Sequence, residues 1–306
     1  MNPLHGIGLK ILSVCVFVAM AVCIKAAAPH VPPGQAVFFR SFFAIPVILG
    51  WLAWQGGLRQ GFRTRYPLGH LWRGLVGTSA MGLGFTALAF LPLPEATALG
   101  YAAPLLTVIF AAMFLGEQVR AFRLTAVFVG LGGVLIVLLP SLSVGLDDAS
   151  SAQAVGAMAA LFGAVCAALA QVTVRKLIHT ERTATIVFYF SLTASALALA
   201  TVPFGWVVPV PREAALLVGA GLLGGVGQIL LTESYRHAET AVIAPFEYVS
   251  MLLALVLGYT IFGEVPTVPM LAGAALIIAA GLFIIWRERR LGIERAGARK
   301  VMTPQG

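Results

Sequence analysis

The most regular feature of the chain is a succession of apolar runs of about 20 residues, separated by short stretches that hold most of the charges. A helical run of that length crosses the hydrocarbon core of a bilayer. The runs are continuous and lack the alternation of a membrane β-barrel, which favours helices over strands. Hydropathy therefore predicts an all-α integral membrane protein with ten transmembrane helices, near residues 6–26, 35–55, 70–91, 94–115, 121–139, 153–174, 184–204, 213–235, 240–262 and 268–286.

One apolar segment occurs twice. Residues 95–117 read EATALGYAAPLLTVIFAAMFLGE and residues 242–264 read VIAPFEYVSMLLALVLGYTIFGE, so both contain a tyrosine and end in Gly-Glu. A second match, at about half the chain's length, relates VFFRS at 37–41 to VFYFS at 187–191. These matches predict two halves of five helices. Because five is odd, the second half crosses the membrane in the opposite sense, an inverted-topology repeat of the kind found in secondary transporters.

The charged segments between the runs predict the domain organisation and the orientation. We expect a first repeat at 1–140, a periplasmic linker at 141–152, a second repeat at 153–286 and a basic cytoplasmic tail at 287–306. Lysines and arginines, with Lys10 counted among them, gather in alternate segments, whereas the chain's only two aspartates lie in the linker. The positive-inside rule then places both termini in the cytoplasm.

Composition supports a membrane protein and argues against several other classes. Hydrophobic residues make up 59% of the chain and charged residues 10%, against roughly 25% charged in soluble domains. The net charge of +8 lies in short loops and the tail, so membrane orientation explains it better than nucleic-acid binding. The three cysteines all lie inside apolar runs and have no metal-site spacing. We expect no metal and no cofactor.

Enzymatic motifs are absent from the sequence. It contains no HExxH, GxSxG or P-loop, so we expect no catalytic residue and no direct use of ATP. A carrier of a small molecule is the first hypothesis. A membrane protein without transport activity, such as a lipid-modifying enzyme or a scaffold, is the alternative from another class.

Six residues inside the predicted helices are candidates for substrate binding or gating. Arg40 and Glu247 are ionisable, and burying a charge in a bilayer costs several kcal/mol, which marks such residues as functional candidates or members of ion pairs. Glu247 is a candidate substrate ligand or proton carrier. Tyr101 and Tyr248 should face each other at mid-membrane, where they either stack on a flat ligand or form hydrogen bonds in the core. Gln171 and Gln228 are expected to be buried amides that bond to substrate or to a neighbouring helix.

Three further carboxylates are expected at helix ends. Glu95 begins the fourth predicted helix, where a negative charge complements the helix dipole. Glu117 and Glu264 follow the ends of their helices, where the dipole disfavours them. Both therefore need partners elsewhere, such as free helix N–H groups, and we interpret them as structural gate or turn residues.

These residues together resemble the EamA branch of the drug/metabolite transporter superfamily. That resemblance rests on the two five-helix repeats, on Arg40 in the second helix and on the terminal Gly116-Glu117 and Gly263-Glu264 pairs. It covers all ten predicted helices and implies transport of a small metabolite. Within the branch, residues 30–41 (HVPPGQAVFFRS) and 91–98 (LPLPEATA) look like bacterial riboflavin transporters, which implies riboflavin uptake across the inner membrane of a bacterial cell. Relatives in the branch also export amino acids and similar metabolites, and Phe190 stands at the repeat position of Arg40.

Overall fold

The computed structural model describes residues 3–54, 62, 64–115, 121–142, 148–178, 180–237 and 243–301. Throughout these ranges the regular structure is helical and contains no β-strand. Short 3₁₀ helices lie at Val202–Phe204 and Ala244–Tyr248. The α-helices are α1 (Pro3–Ala27), α2 (Pro33–Phe42), α3 (Ala44–Trp54), α4 (Pro67–Phe90), α5 (Leu93–Gly100), α6 (Ala102–Leu115), α7 (Ala121–Leu142), α8 (Asp148–Ile178), α9 (Thr183–Leu199), α10 (Pro211–His237), α11 (Val249–Phe262) and α12 (Val268–Val301).

Eight helical stretches of the described chain are long and apolar enough to cross a membrane, so the protein is a multi-pass membrane protein. They are Leu4–Ala27, Pro33–Trp54, Leu93–Phe114, Ala121–Pro140, Ser151–Val174, Pro211–Ser234, Pro245–Phe262 and Val268–Arg287. The apolar stretch of α9 is shorter, at Ala184–Leu199. Helix α4 has 24 residues but includes polar ones such as His70 and Arg73.

Two of the apolar stretches are interrupted at proline-associated breaks. Helices α2 and α3 are separated at Phe43, and helices α5 and α6 at Tyr101. Pro46 and Pro104 follow three residues after these breaks. A proline has no N–H to donate to the carbonyl four residues earlier, and its ring crowds that carbonyl, which explains why the helices break there.

The helices pack mainly in pairs from different halves of the chain. The most extensive pairings are α1 with α10, α4 with α8, and α7 with α12. Helices α2 and α3 pack against α9, and α5 packs against α11. At the crossing of α7 and α12, a Cβ on Gly133 would lie 2.7 Å from the Gly273 carbonyl oxygen, so small residues allow the two backbones to approach closely.

Helix ends differ from the hydropathy boundaries in two places. Helix α7 continues to Leu142 and α8 begins at Asp148, so both extend into residues 141–152. Helix α12 continues to Val301, well into the basic tail. Hydropathy marks where a helix is apolar, and these helices continue into polar sequence.

Candidate functional site

The first feature of the candidate site is an ion pair between distant parts of the chain. Glu247 lies in the 3₁₀ helix that precedes α11, and its carboxylate pairs with the Lys10 ammonium group from α1. Lys10 is buried, with its side chain 3% exposed, whereas the side chain of Glu247 is 47% exposed. Lys10, which the sequence analysis counts among the cations of the cytoplasmic segments, lies inside the apolar helix α1 and is matched by a carboxylate.

The two tyrosines of the repeated segment are in contact beside this ion pair. The Tyr101 and Tyr248 ring centroids lie 5.1 Å apart, and the ring planes are inclined by 73°, an edge-to-face arrangement. The Tyr101 hydroxyl lies 2.6 Å from the Ser250 hydroxyl, which donates to the Glu247 carbonyl at 2.6 Å. Tyr101, Ser250 and Glu247 are therefore joined by hydrogen bonds where one helix breaks and another begins.

Tyr248 packs against a glycine in α12. A Cβ on Gly281 would lie 1.7 Å from the Tyr248 hydroxyl oxygen, so a larger residue at position 281 would displace the ring. Gly281 thus keeps Tyr248 close to α12, and the tyrosine contacts link α5, α11 and α12.

A second set of polar contacts, which we call the Lys25 cluster, consists of Lys25, Glu264, Glu95 and the Leu93 backbone. The Lys25 ammonium group lies 2.9 Å from the Glu264 carboxylate. The other oxygen of Glu264 accepts a hydrogen bond from the Leu93 N–H at 2.8 Å, and Lys25 donates to the Leu88 carbonyl at 3.2 Å. Glu95 lies in the first turn of α5, close enough to interact electrostatically with both charges. The cluster joins the ends of α1, α4 and α11 to the start of α5.

Gly263 explains why Glu264 is in position to join this cluster. It has φ +68°, the left-handed conformation that favours glycine, and its N–H bonds to the Tyr259 carbonyl at 3.1 Å as α11 ends. The chain then turns so that Glu264 points to α5 and α1. The Gly-Glu motif therefore ends one helix and supplies an acceptor to another. Gly116 and Glu117, its repeat counterparts, lie outside the described residues.

Arg40 lies in α2 with 5% of its surface exposed, and it contacts an aromatic ring. Its guanidinium carbon is 5.8 Å from the centroid of the Phe190 ring in α9. Arg73 of α4, which we did not select from the sequence, lies over the same ring at 4.0 Å. Arg73 lies in the predicted helix at 70–91, and its neighbours in the sequence do not indicate a contact with Phe190. That contact is visible only in the folded chain.

The two glutamines differ in their surroundings. Gln171 is exposed on α8, so the expectation of a buried amide at that position is wrong. Gln228 is half-buried on α10. The apolar residues around Gln171 in the sequence do not indicate which face of α8 is buried, so the exposure of Gln171 has no sequence signal.

Glu181, between α8 and α9, forms a separate set of polar contacts with the residues that precede α4. It accepts hydrogen bonds from the Arg65 N–H at 2.7 Å and the Thr64 hydroxyl at 2.8 Å. Burial by itself would raise the pKa of Glu181, but these hydrogen bonds and the adjacent His70 hold that pKa below its ordinary value. Because it bonds to N–H groups at the entrance to a helix, Glu181 has a structural role.

Two matches to one protein family together cover most of the chain. Residues 4–139 and 154–286 each match the EamA-like transporter family. Residues 93–203 also match solute carrier family 35.

Curated relatives with different cargoes align along nearly the whole chain. The pseudopaline exporter CntI of Pseudomonas aeruginosa is 33% identical over 90% of this chain and 94% of its own length. The riboflavin transporter of Rhizobium johnstonii is 32% identical over 94% of this chain and 90% of its own length. The S-adenosylmethionine uptake transporter of Rickettsia bellii is 28% identical, with 93% and 94% covered.

A solved crystal structure has the same fold. It superposes with a TM-score of 0.67 at 22% identity and covers 94% of this chain and 98% of its own. The relatives are transporters, which agrees with the absence of catalytic motifs.

Proposed function

Because the chain belongs to the EamA-like transporter family, we propose that it is a secondary transporter that moves a small metabolite across the bacterial inner membrane by alternating access. In this proposal ten helical spans form two inverted repeats, at 1–140 and 153–286, joined by a periplasmic linker. Both termini, including the basic tail at 287–306, lie in the cytoplasm. The observation that carries the proposal is the two family matches, one on each half of the chain.

The pairing of helices supports the inverted repeat. Counting spans along the chain, α1 and α10 are the first and eighth, and α4 and α8 are the third and sixth. A shift of five spans converts one of these pairs into the other, and both pairs pack extensively. The pairing of α7 with α12 joins the fifth and tenth spans, and a shift of five spans leaves this pair unchanged. Two halves related by a two-fold axis would produce this set of contacts.

The binding region in this proposal lies around the interrupted helices. Discontinuous helices at mid-membrane form the substrate sites of many transporters that contain inverted repeats. Here the break at Tyr101 and the 3₁₀ helix before α11 bring together Lys10, Glu247, Tyr101 and Tyr248. We assign substrate binding or proton coupling to this group. Gln228 is a further candidate ligand, whereas the exposure of Gln171 argues against that role.

The Lys25 cluster is the proposed outer gate. In the proposed topology α1 and α11 end, and α5 begins, at the periplasmic side. The contacts between Lys25, Glu264 and the Leu93 N–H hold these ends together, and in this proposal they close the periplasmic entrance. Opening the entrance requires that these contacts separate.

Riboflavin uptake is the first substrate hypothesis. It is supported by the HVPPGQAVFFRS and LPLPEATA stretches and by riboflavin transporters at 32% and 30% identity. A riboflavin-auxotrophic bacterium that lacks its own importer tests it, with and without this chain at low external riboflavin. Restored growth with uptake of labelled riboflavin would establish cargo and direction. Absence of rescue, with the protein present in the membrane, would reject riboflavin uptake.

Export of amino acids or related metabolites is the second hypothesis. It is supported by the pseudopaline exporter at 33% identity and by Arg40, a buried cation suited to an anionic or carbonyl-rich ligand. Cells that express this chain should then release such a metabolite, and the same auxotroph should not be rescued. A scaffold without transport activity would neither rescue the auxotroph nor release a metabolite.

A further inference from the structure

Two arginines share one aromatic ring in the interior of the helix bundle. The Arg40 and Arg73 guanidinium carbons lie 5.8 and 4.0 Å from the centroid of the Phe190 ring. Phe190 is itself buried, and the three residues come from α2, α4 and α9. The two positive charges are close enough for Arg40 to act electrostatically on Arg73. Like charges repel, so this arrangement needs a stabilising partner.

Glycines make room for both guanidinium groups. A Cβ on Gly77 would lie 2.0 Å from Nη1 of Arg73 and 2.9 Å from the Phe190 ring. A Cβ on Gly224 of α10 would lie 3.0 Å from Nε of Arg40. Larger residues at 77 and 224 would displace the arginines. The two glycines therefore leave the space that the guanidinium groups occupy.

The charges of the two arginines are not matched by carboxylates in the described part of the chain. No aspartate or glutamate there lies within 4.0 Å of either guanidinium, unlike Lys10 and Lys25, which each pair with one. Nε and Nη1 of Arg73 are buried and have no hydrogen-bond partner. The Phe190 ring stabilises both cations through its face, but it accepts no strong hydrogen bond. An unmatched, incompletely bonded guanidinium is costly inside a membrane protein.

We propose that Arg40 and Arg73 form a subsite for an oxyanion, the carboxylate or phosphate group of the transported substrate. A guanidinium binds either group through two parallel N–H···O bonds, and an anion between the arginines would also remove their mutual repulsion. This inference rests on the proposed transport function and narrows its substrate class. Riboflavin has neither group, whereas amino acids and S-adenosylmethionine carry a carboxylate, so the subsite favours the second substrate hypothesis.

The test uses the purified full chain in lipid nanodiscs and measures its melting temperature with acetate or inorganic phosphate, against chloride at equal ionic strength. We expect the oxyanions to raise the melting temperature of the wild type, because a ligand that binds only the folded state stabilises it. Two matched probe pairs identify the preferred group: flavin mononucleotide against riboflavin for phosphate, and leucine against leucinamide for carboxylate. Absence of any oxyanion effect on the wild type would overturn the proposal.

Variants separate binding from a purely structural role. Arg40→Gln and Arg73→Gln should each weaken oxyanion affinity about tenfold or more, whereas Arg212→Gln, at an exposed position on α10, should leave it unchanged. In chloride, Arg73→Gln should melt at the same temperature as the wild type or higher, because it removes an uncompensated charge. Full retention of the oxyanion shift in Arg73→Gln, or a marked loss of stability in chloride, would contradict the proposal.

Failure of this subsite and failure of the transport function give different results. Solute flux that persists in Arg40→Gln and Arg73→Gln, without an oxyanion effect on the wild type, would reject the subsite and leave transport intact. An oxyanion effect without flux of any solute would support the subsite and count against transport.

Discussion

At the scale of single residues, the Lys10–Glu247 pair is unequal in its surroundings. The Lys10 side chain is 3% exposed and that of Glu247 is 47% exposed, so the two residues depend on each other to different degrees. Without Glu247, the ammonium group would be buried and unpaired. Without Lys10, the carboxylate would retain part of its access to the surroundings. The pair therefore predicts an asymmetric response to mutation.

We expect Glu247→Gln to destabilise the protein more than Lys10→Met does, by up to about 3–5 kcal/mol, the cost of leaving one member of a buried pair uncompensated. The double variant should recover part of the loss, because it removes both charges. Thermal unfolding in one detergent gives the three values. Equal destabilisation by both single variants, summing in the double variant, would show that the residues do not act as a pair.

If Glu247 also carries a proton during transport, Glu247→Gln should uncouple substrate flux from pH. Flux in vesicles with and without a pH gradient measures this. The variant should show the same flux under both conditions, whereas the wild type should respond to the gradient. An unchanged response in a stable, inserted variant would remove Glu247 from the coupling role.

Glu181 provides a prediction outside the membrane spans. Its lowered folded-state pKa means that the ionised carboxylate stabilises the fold above the ordinary glutamate pKa of 4.5, and that this contribution is lost as pH falls through the lowered value. Glu181→Gln should therefore cost about 1 kcal/mol near neutral pH, and the difference from wild type should shrink in acid. Melting curves across that range measure it. A constant difference at every pH would contradict the assignment.

At the scale of helices, close crossings explain part of the glycine content. Gly133 of α7 and Gly273 of α12 each lie against the carbonyl oxygen of the other, and a Cβ on Gly273 would lie 2.5 Å from the Gly133 oxygen. Gly132, one residue away, has no atom within 4 Å of an added Cβ. The crossing therefore requires a glycine at position 133 but not at position 132.

Gly133→Ala should push α7 and α12 apart and destabilise the protein by about 1–3 kcal/mol, since the new methyl group meets backbone. Gly132→Ala should be neutral or mildly stabilising, because alanine favours helices by up to about 1 kcal/mol over glycine. Melting temperatures of the two variants provide a matched comparison. Similar values would show that the crossing is not as close as described.

Much of the helical architecture can be predicted from apolar run length, because a bilayer requires long continuous apolar segments. The breaks at Phe43 and Tyr101 also have a sequence signal in Pro46 and Pro104. The partners of buried charges have no such signal. The pairing of Lys10 with Glu247, the sharing of Phe190 by Arg40 and Arg73, and the exposure of Gln171 all depend on which helix faces meet.

At the scale of the whole molecule, the Lys25 cluster connects four helix ends that would have to separate for the proposed periplasmic entrance to open. We expect Glu264→Gln to favour the open state, because it removes the ion pair with Lys25 and weakens the acceptor for the Leu93 N–H. Cys23, two residues before Lys25 and half-buried, is a natural reporter.

In a chain with Cys15→Ser and Cys166→Ser, maleimide labelling of Cys23 should become several-fold faster when Glu264→Gln is added. Glu213→Gln is the matched control, since Glu213 pairs instead with the exposed His30. The control should label at the original rate. Equal rates in all three proteins would contradict the gate assignment.

The most direct test of the proposed transport function is solute counterflow into proteoliposomes that contain only this chain. Vesicles preloaded with unlabelled riboflavin, S-adenosylmethionine or amino acids would receive the same solute labelled outside, and counterflow requires no knowledge of the coupling ion. We predict saturable accumulation of at least one solute above protein-free vesicles. No accumulation of any of them, with the protein shown to be folded and inserted, would contradict transport of these substrate classes and favour a role without transport activity.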